Sequence, residues 1–167
     1  MKKSIMAGAL ALAFSAAAVQ ADDRLVRFEG GIGVIPVSST LANASVGDAV
    51  RNDVRNTPPG GQPWTISRLS ADVRSDGHIS VDGRGLLLAG GDNIGFNGGQ
   101  TVRARLFCGA APFDSDQAVP LEENGDFRIE GNLVGALPNP CDRPVLLIIN
   151  VPATGNPAWF AAGIPKL

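Results

Sequence analysis

Apolar and polar residues alternate with a period of two through much of the chain beyond residue 21. The clearest case is 101–108, where Val102, Ala104, Leu106 and Cys108 interleave with Thr101, Arg103, Arg105 and Phe107. A strand sends successive side chains to opposite faces. The first set is therefore expected inward and the second outward. The same alternation marks a short strand at 25–28 and a long one at 64–74. In the long one Leu69, Ala71 and Val73 share one parity, while Trp64 and Ile66 hold the other. A bulge near Ser67-Arg68 would bring both sets to one face. Ile79 and Val81 alternate after it, then Val119 and Leu121, then Phe127 and Ile129. Residues 86–88 are apolar throughout, and 145–151 are apolar but for Asn150. The second run is rich in β-branched residues and predicts a central strand. Residues 159–164 predict the last strand.

Turn residues separate these runs. Ser75-Asp76-Gly77 and Glu123-Asn124-Gly125 read as hairpin turns, 90–100 as a Gly- and Asn-rich loop, and 138–144 as a Pro-rich one. The segments starting at Asp76-Gly77 and Asn124-Gly125 echo each other over eight residues, and the limited chemistry of turns accounts for that. No window beyond residue 21 sustains a helical period. The best, 49–55, reads equally as a strand with Arg51 and Asp53 outward. Eight or nine short strands with turns between them predict an all-β fold. The expectation is an antiparallel β-sandwich, Ig-like or related, or a small barrel. The pairing order does not follow from the pattern.

Residues 1–21 break this pattern and change the picture. Lys2 and Lys3 precede a short Ala-rich apolar stretch, and Val19-Gln20-Ala21 ends it with small residues before Asp22-Asp23. That is the order of a secretory signal peptide, with cleavage near Ala21. It implies an exported protein, periplasmic or extracellular, and a single β domain over 22–167. No Cys stands near the cleavage site to carry a lipid, and no later stretch suits a membrane helix. The mature chain is therefore expected to be soluble. Without Lys2 and Lys3 the chain keeps 12 basic against 16 acidic side chains, a net charge of about −4. A mildly acidic surface with scattered cations argues against nucleic acid as a partner.

Export also bears on Cys108 and Cys141, the only two cysteines. In an oxidising compartment they predict a disulfide between the end of the 101–108 strand and the Pro-rich loop. Closing a loop of this length contributes about 3–4 kcal/mol in the chain-entropy model. The pair is not a CxxC redox motif, and one histidine, His78, makes a poor zinc site with it.

No motif for catalysis, cofactor or metal stands out. His78 follows a tight turn on a polar parity and reads as an exposed hairpin residue. Paired carboxylates for glycoside hydrolysis cannot be selected by spacing. Asp114-Ser115-Asp116, and Gly91-Asp92-Asn93 with Asn97, offer oxygen ligands without the spacing of an EF-hand. Gly90-Gly91 and Gly98-Gly99 lack the rest of a phosphate loop. Both tryptophans, Trp64 and Trp159, sit in apolar strands and are expected in the core. The candidate binding patch is Arg103, Arg105 and Phe107, three outward positions on one strand. Its chemistry suits a carboxylate, a sulfated glycan or an acidic partner.

The segments Gly60-Gly61-Gln62-Pro63-Trp64-Thr65-Ile66, Gly83-Arg84-Gly85-Leu86-Leu87-Leu88-Ala89-Gly90-Gly91-Asp92 and Trp159-Phe160-Ala161-Ala162-Gly163-Ile164-Pro165 resemble those of small exported bacterial proteins of uncharacterised function. The resemblance implies export and brings no activity or site. The first functional expectation is thus a non-enzymatic exported domain that binds a protein or a glycan, without a cofactor. A secreted hydrolase built on paired carboxylates is the alternative. A structural subunit of a surface assembly is the third, and it asks for an unpaired apolar edge strand.

Overall fold

Among the described residues, 23–36 and 52–166 of a computed structural model, every regular element is a strand. In chain order they are β1 (Arg24–Gly33), β2 (Trp64–Thr65), β3 (Arg68–Arg74), β4 (His78–Arg84), β5 (Leu87–Leu88), β6 (Thr101–Cys108), β7 (Ala111–Asp114), β8 (Val119–Pro120), β9 (Phe127–Asn132), β10 (Val145–Asn150) and β11 (Trp159–Pro165). The signal-peptide reading of 1–21 lies outside the described residues, and so do 49–51 of the one helical candidate. Its described part is no helix: Val54 and Thr57 form a bridge around a turn at Arg55 and Asn56.

Nine strands form one antiparallel sheet in the order β7-β6-β10-β11-β1-β3-β4-β9, with β8 also on β6. β2 and β5 pair separately. The large sheet curls into a half-barrel. The all-β antiparallel expectation is met by this half-barrel. Its two ends touch where Ser115 bridges Leu133, with Asp116 N–H donating to Asn132 O (2.8 Å) and Val134 N–H to Asp114 O (2.9 Å). Little of either edge is left free there, which limits edge-to-edge association.

The period-two pattern places the core. Leu69, Ala71 and Val73 on β3, Ile79 and Val81 on β4, Val102, Ala104 and Leu106 on β6, and Phe127 and Ile129 on β9 are all buried. β10 runs between β6 and β11, and Leu146, Leu147, Ile148 and Ile149 are buried on both of its faces. That is the central strand its continuous apolar run predicts.

Three details differ from the sequence expectation. The stretch 64–74 is not one bulged strand. It breaks at Ile66-Ser67, where Ser67 N–H bonds Arg84 O (2.9 Å), so Trp64 pairs with Leu88 while β3 joins the large sheet. The turn at Glu123-Asn124-Gly125 forms, with Asp126 N–H on the Asn124 side chain (3.0 Å). Its flanking strands do not pair as a hairpin, however: β8 goes to β6 and β9 to β4. The two echoing segments therefore lie side by side, with Val81 opposite Ile129. Both open on the same turn, since His78 N–H likewise bonds the Asp76 side chain (2.9 Å). Finally, Phe107 is buried at 2% exposure instead of facing solvent.

The disulfide joins Cys108 and Cys141 with Cα atoms 4.8 Å apart. It ties the end of β6 to the loop before β10, as the sequence predicts. No helix among the described residues is long and apolar enough to cross a membrane.

Candidate functional site

The outer face of β6, β10 and β11 carries a strap formed by residues 52–60. Pro59 bridges Trp159, Gly60 N–H donates to Trp159 O (2.9 Å) and Trp159 N–H donates to Pro58 O (2.8 Å). The Trp159 indole N–H adds a bond to Asn52 O (3.2 Å). Arg55 then reaches over the sheet. Its guanidinium lies 5.4 Å from the centre of the Phe107 ring and donates to Arg143 O (2.7 Å). A cation over an aromatic face is favourable and leaves that face covered. This is why Phe107, outward by parity, is not offered to a ligand.

The strap also sorts the two arginines of β6. Arg105 stands opposite Asp114 of β7 and grips it at two points, Nε–Oδ1 2.6 Å and Nη2–Oδ2 2.8 Å. Its Nη1 donates to the hydroxyl of buried Thr57 in the strap (3.3 Å). Asp114 holds the guanidinium firmly charged, raising its pKa against the opposing effect of burial. Arg103, two residues earlier and opposite Ile149, has no such partner. Its Nε is buried without an acceptor, and no described residue bonds or ion-pairs its side chain. A guanidinium that lines a cleft with no acid paired to it has donors to offer an incoming acceptor.

Arg103, Arg105 and Asp114 line one side of a cleft of about 230 Å³, closed on the other by Asn150, Pro152 and Pro157. A second cleft, of about 340 Å³, opens on the far side of Asn150, which lines both. Its floor is apolar: Trp64 and Phe160 stack with ring centroids 4.1 Å apart, 14° from parallel. Its walls carry the amides of Gln62, Asn93, Gln100 and Asn150. Both clefts lie in the range of small-ligand sites or just below it. Neither holds two facing acids, the arrangement that a carboxylate hydrolase needs.

Charged side chains on β4 and β9 pair both along and across the strands. On β4 and β9, Ser80 Oγ donates to Glu130 (2.8 Å), Arg128 donates to the same carboxylate (2.8 Å) and His78 Nε2 stands 3.6 Å away. These bonds, Ser80 first, hold the Glu130 carboxyl below its usual pKa despite some desolvation. Ser80 points at the acid and not at the imidazole, so the trio lacks the order of a nucleophilic triad. Arg84 spans Asp82 (3.0 Å) and Asp126 (2.9 Å), and its bond lowers the Asp126 pKa.

Three of the residues weighed as calcium ligands have other partners. Asp114 is on Arg105, Asp116 accepts Asn132 N–H (2.9 Å), and the Asn97 amide donates to Leu121 O (3.0 Å) and Glu122 O (2.9 Å). Among the described residues no group of three or more His, Cys, Asp or Glu could hold a metal ion.

The sequence reading missed the second cleft. Gln62, Asn93, Gln100 and Asn150 come from separate stretches of chain, and no local signal joins them. No family model matches this chain, and no curated protein or solved structure matches it.

Proposed function

We propose that this chain is an exported, non-enzymatic binding domain whose partner, a protein or a glycan, presents a carboxylate or sulfate to the Arg103 cleft. One observation carries the reading: Arg103 lines that cleft without an acceptor, while its neighbour Arg105 is neutralised by Asp114. An anionic group placed there would satisfy the guanidinium and gain a charge-assisted bond. Arg105, already bound at two points, serves to fix β7 and the strap. The export part of the proposal rests on residues 1–21 and on the disulfide, which suits an oxidising compartment.

The test compares the mature protein with Arg103→Gln on immobilised sulfated glycan, uronate oligosaccharide and poly-glutamate peptide. Salt-dependent retention that is lost in the variant supports the reading. Equal retention of both proteins, or none on any matrix, overturns it. Fractionation of the producing cells tests export separately: the intact mass should match a chain beginning at or near Asp22, found outside the cytoplasm.

A further inference from the structure

The second cleft has a chemistry of its own. No charged side chain lines it. Its polar groups are four primary amides, and each amide offers both a donor and an acceptor. Much of that capacity is unused. The side chains of Gln62 and Asn93 make no hydrogen bond with any described residue. Gln100 spends only its N–H, on Gly98 O (3.1 Å). Asn150 spends only its carbonyl, which accepts Ala158 N–H (2.7 Å). That leaves the Gln100 oxygen and the Asn150 amino group for a ligand.

Between these groups the floor is apolar, built from Trp64, Phe160 and Leu88. Gly60 keeps it open. A Cβ there would stand 3.0 Å from the Phe160 ring and 3.2 Å from Trp64 Nε1, filling the space between the aromatic floor and the mouth.

We propose that this cleft binds a neutral sugar ring. A pyranose matches it in both respects. Its hydroxyls are paired donors and acceptors, which amides satisfy and which carboxylates or ammonium groups satisfy only in part. Its C–H groups need an apolar surface, and the rim of the Trp64–Phe160 stack, the two residues being 5% and 4% exposed, supplies a small one at the cleft floor. The absence of charge at the cleft selects against ionised ligands, which would lose hydration without gaining a counter-charge. The site is separate from Arg103 and does not depend on the reading given for it.

The probes are cellotetraose, mannotetraose and chitotetraose at millimolar concentration, followed by the side-chain amide signals of ¹⁵N-labelled protein. Binding of at least one should shift the NH₂ resonances of Gln62, Asn93, Gln100 and Asn150 together. The double variant Gln62→Ala/Asn93→Ala removes exposed side chains that bond nothing else, so its fold should stand. Its affinity should fall by about tenfold or more. Arg103→Gln should bind the same sugar as the parent does. If none of the three sugars shifts these amides, or if the double variant binds undiminished, the proposal is wrong. If Arg103→Gln alone abolishes binding, the sugar sits in the other cleft and this assignment fails.

Discussion

Arg105 and Asp114 face each other across β6 and β7 and meet through two near-parallel hydrogen bonds of 2.6 and 2.8 Å. Their side chains are only 18% and 28% exposed, so solvent screens the pair less than an ordinary surface ion pair. Asp114→Ala would leave the guanidinium half-buried with Thr57 alone. The expected loss is about 1–3 kcal/mol, read as a lower urea midpoint with an unchanged slope. Replacing both residues, Arg105→Met with Asp114→Leu, should cost less than Asp114→Ala alone.

Glycine at position 83 is a matter of space. It faces Phe127 across β4 and β9, and a Cβ would fall 2.1 Å from the ring. Gly83→Ala should therefore destabilise by about 1–3 kcal/mol through overpacking. Phe127→Leu should recover part of that loss in the double variant. Additive losses in urea unfolding would refute this contact as the cause.

Stability should fall in acid by a predictable route. Glu29, Asp126 and Glu130 all have lowered pKa values, chiefly through bonds to Lys166, Arg84 and Ser80 respectively. A carboxylate with a lowered folded pKa adds stability above its unfolded value. It loses that contribution as pH drops through the folded value. Stability should thus be level above about pH 5 and decline below about pH 4. Ser80→Ala removes the main cause at Glu130, so its carboxyl should titrate at higher pH in an NMR titration. An unchanged Glu130 midpoint would show that Arg128 is the dominant partner.

The disulfide gives the simplest measurement. Alkylation of the folded protein should label no thiol at Cys108 or Cys141, because the two are joined. Replacing both with serine should lower stability by about 3–4 kcal/mol, the worth of closing a loop of 33 residues in the chain-entropy model.

Much of the fold was legible wherever local pattern and burial agree. Val102, Ala104 and Leu106, like Ile79 and Val81, fall inward because each alternation backs onto one core. Residues 145–151 announced a central strand, and β10 is one. The failures are mostly long-range. Phe107 has outward parity, yet Arg55, far away in sequence, covers it. β7 carries Pro112 in its middle, a residue that ordinarily argues against a strand, and is tolerated here near the sheet's end. The turn at Asn124 and Gly125 was readable, but nothing in it says that β9 will prefer β4. At the candidate site the sequence showed that Arg103 and Arg105 share a face. It did not show which of them Asp114 would take, or that Asn150 would stand between two clefts.

The place of β11 constrains how the domain is assembled. It lies between β10 and β1, with Ala161 opposite Ile148 on one side and Gly163 opposite Gly31 on the other. The middle of the sheet is thus filled by the strand that follows all the other described strands in sequence. Without it the groups β7-β6-β10 and β1-β3-β4-β9 would meet only at the other end, where Ser115 bridges Leu133. Removing Trp159–Pro165 would open the sheet at its centre instead of trimming its rim. The fold is closed at its centre only when residues far apart in sequence, Gly31 and Gly163, come to lie opposite each other.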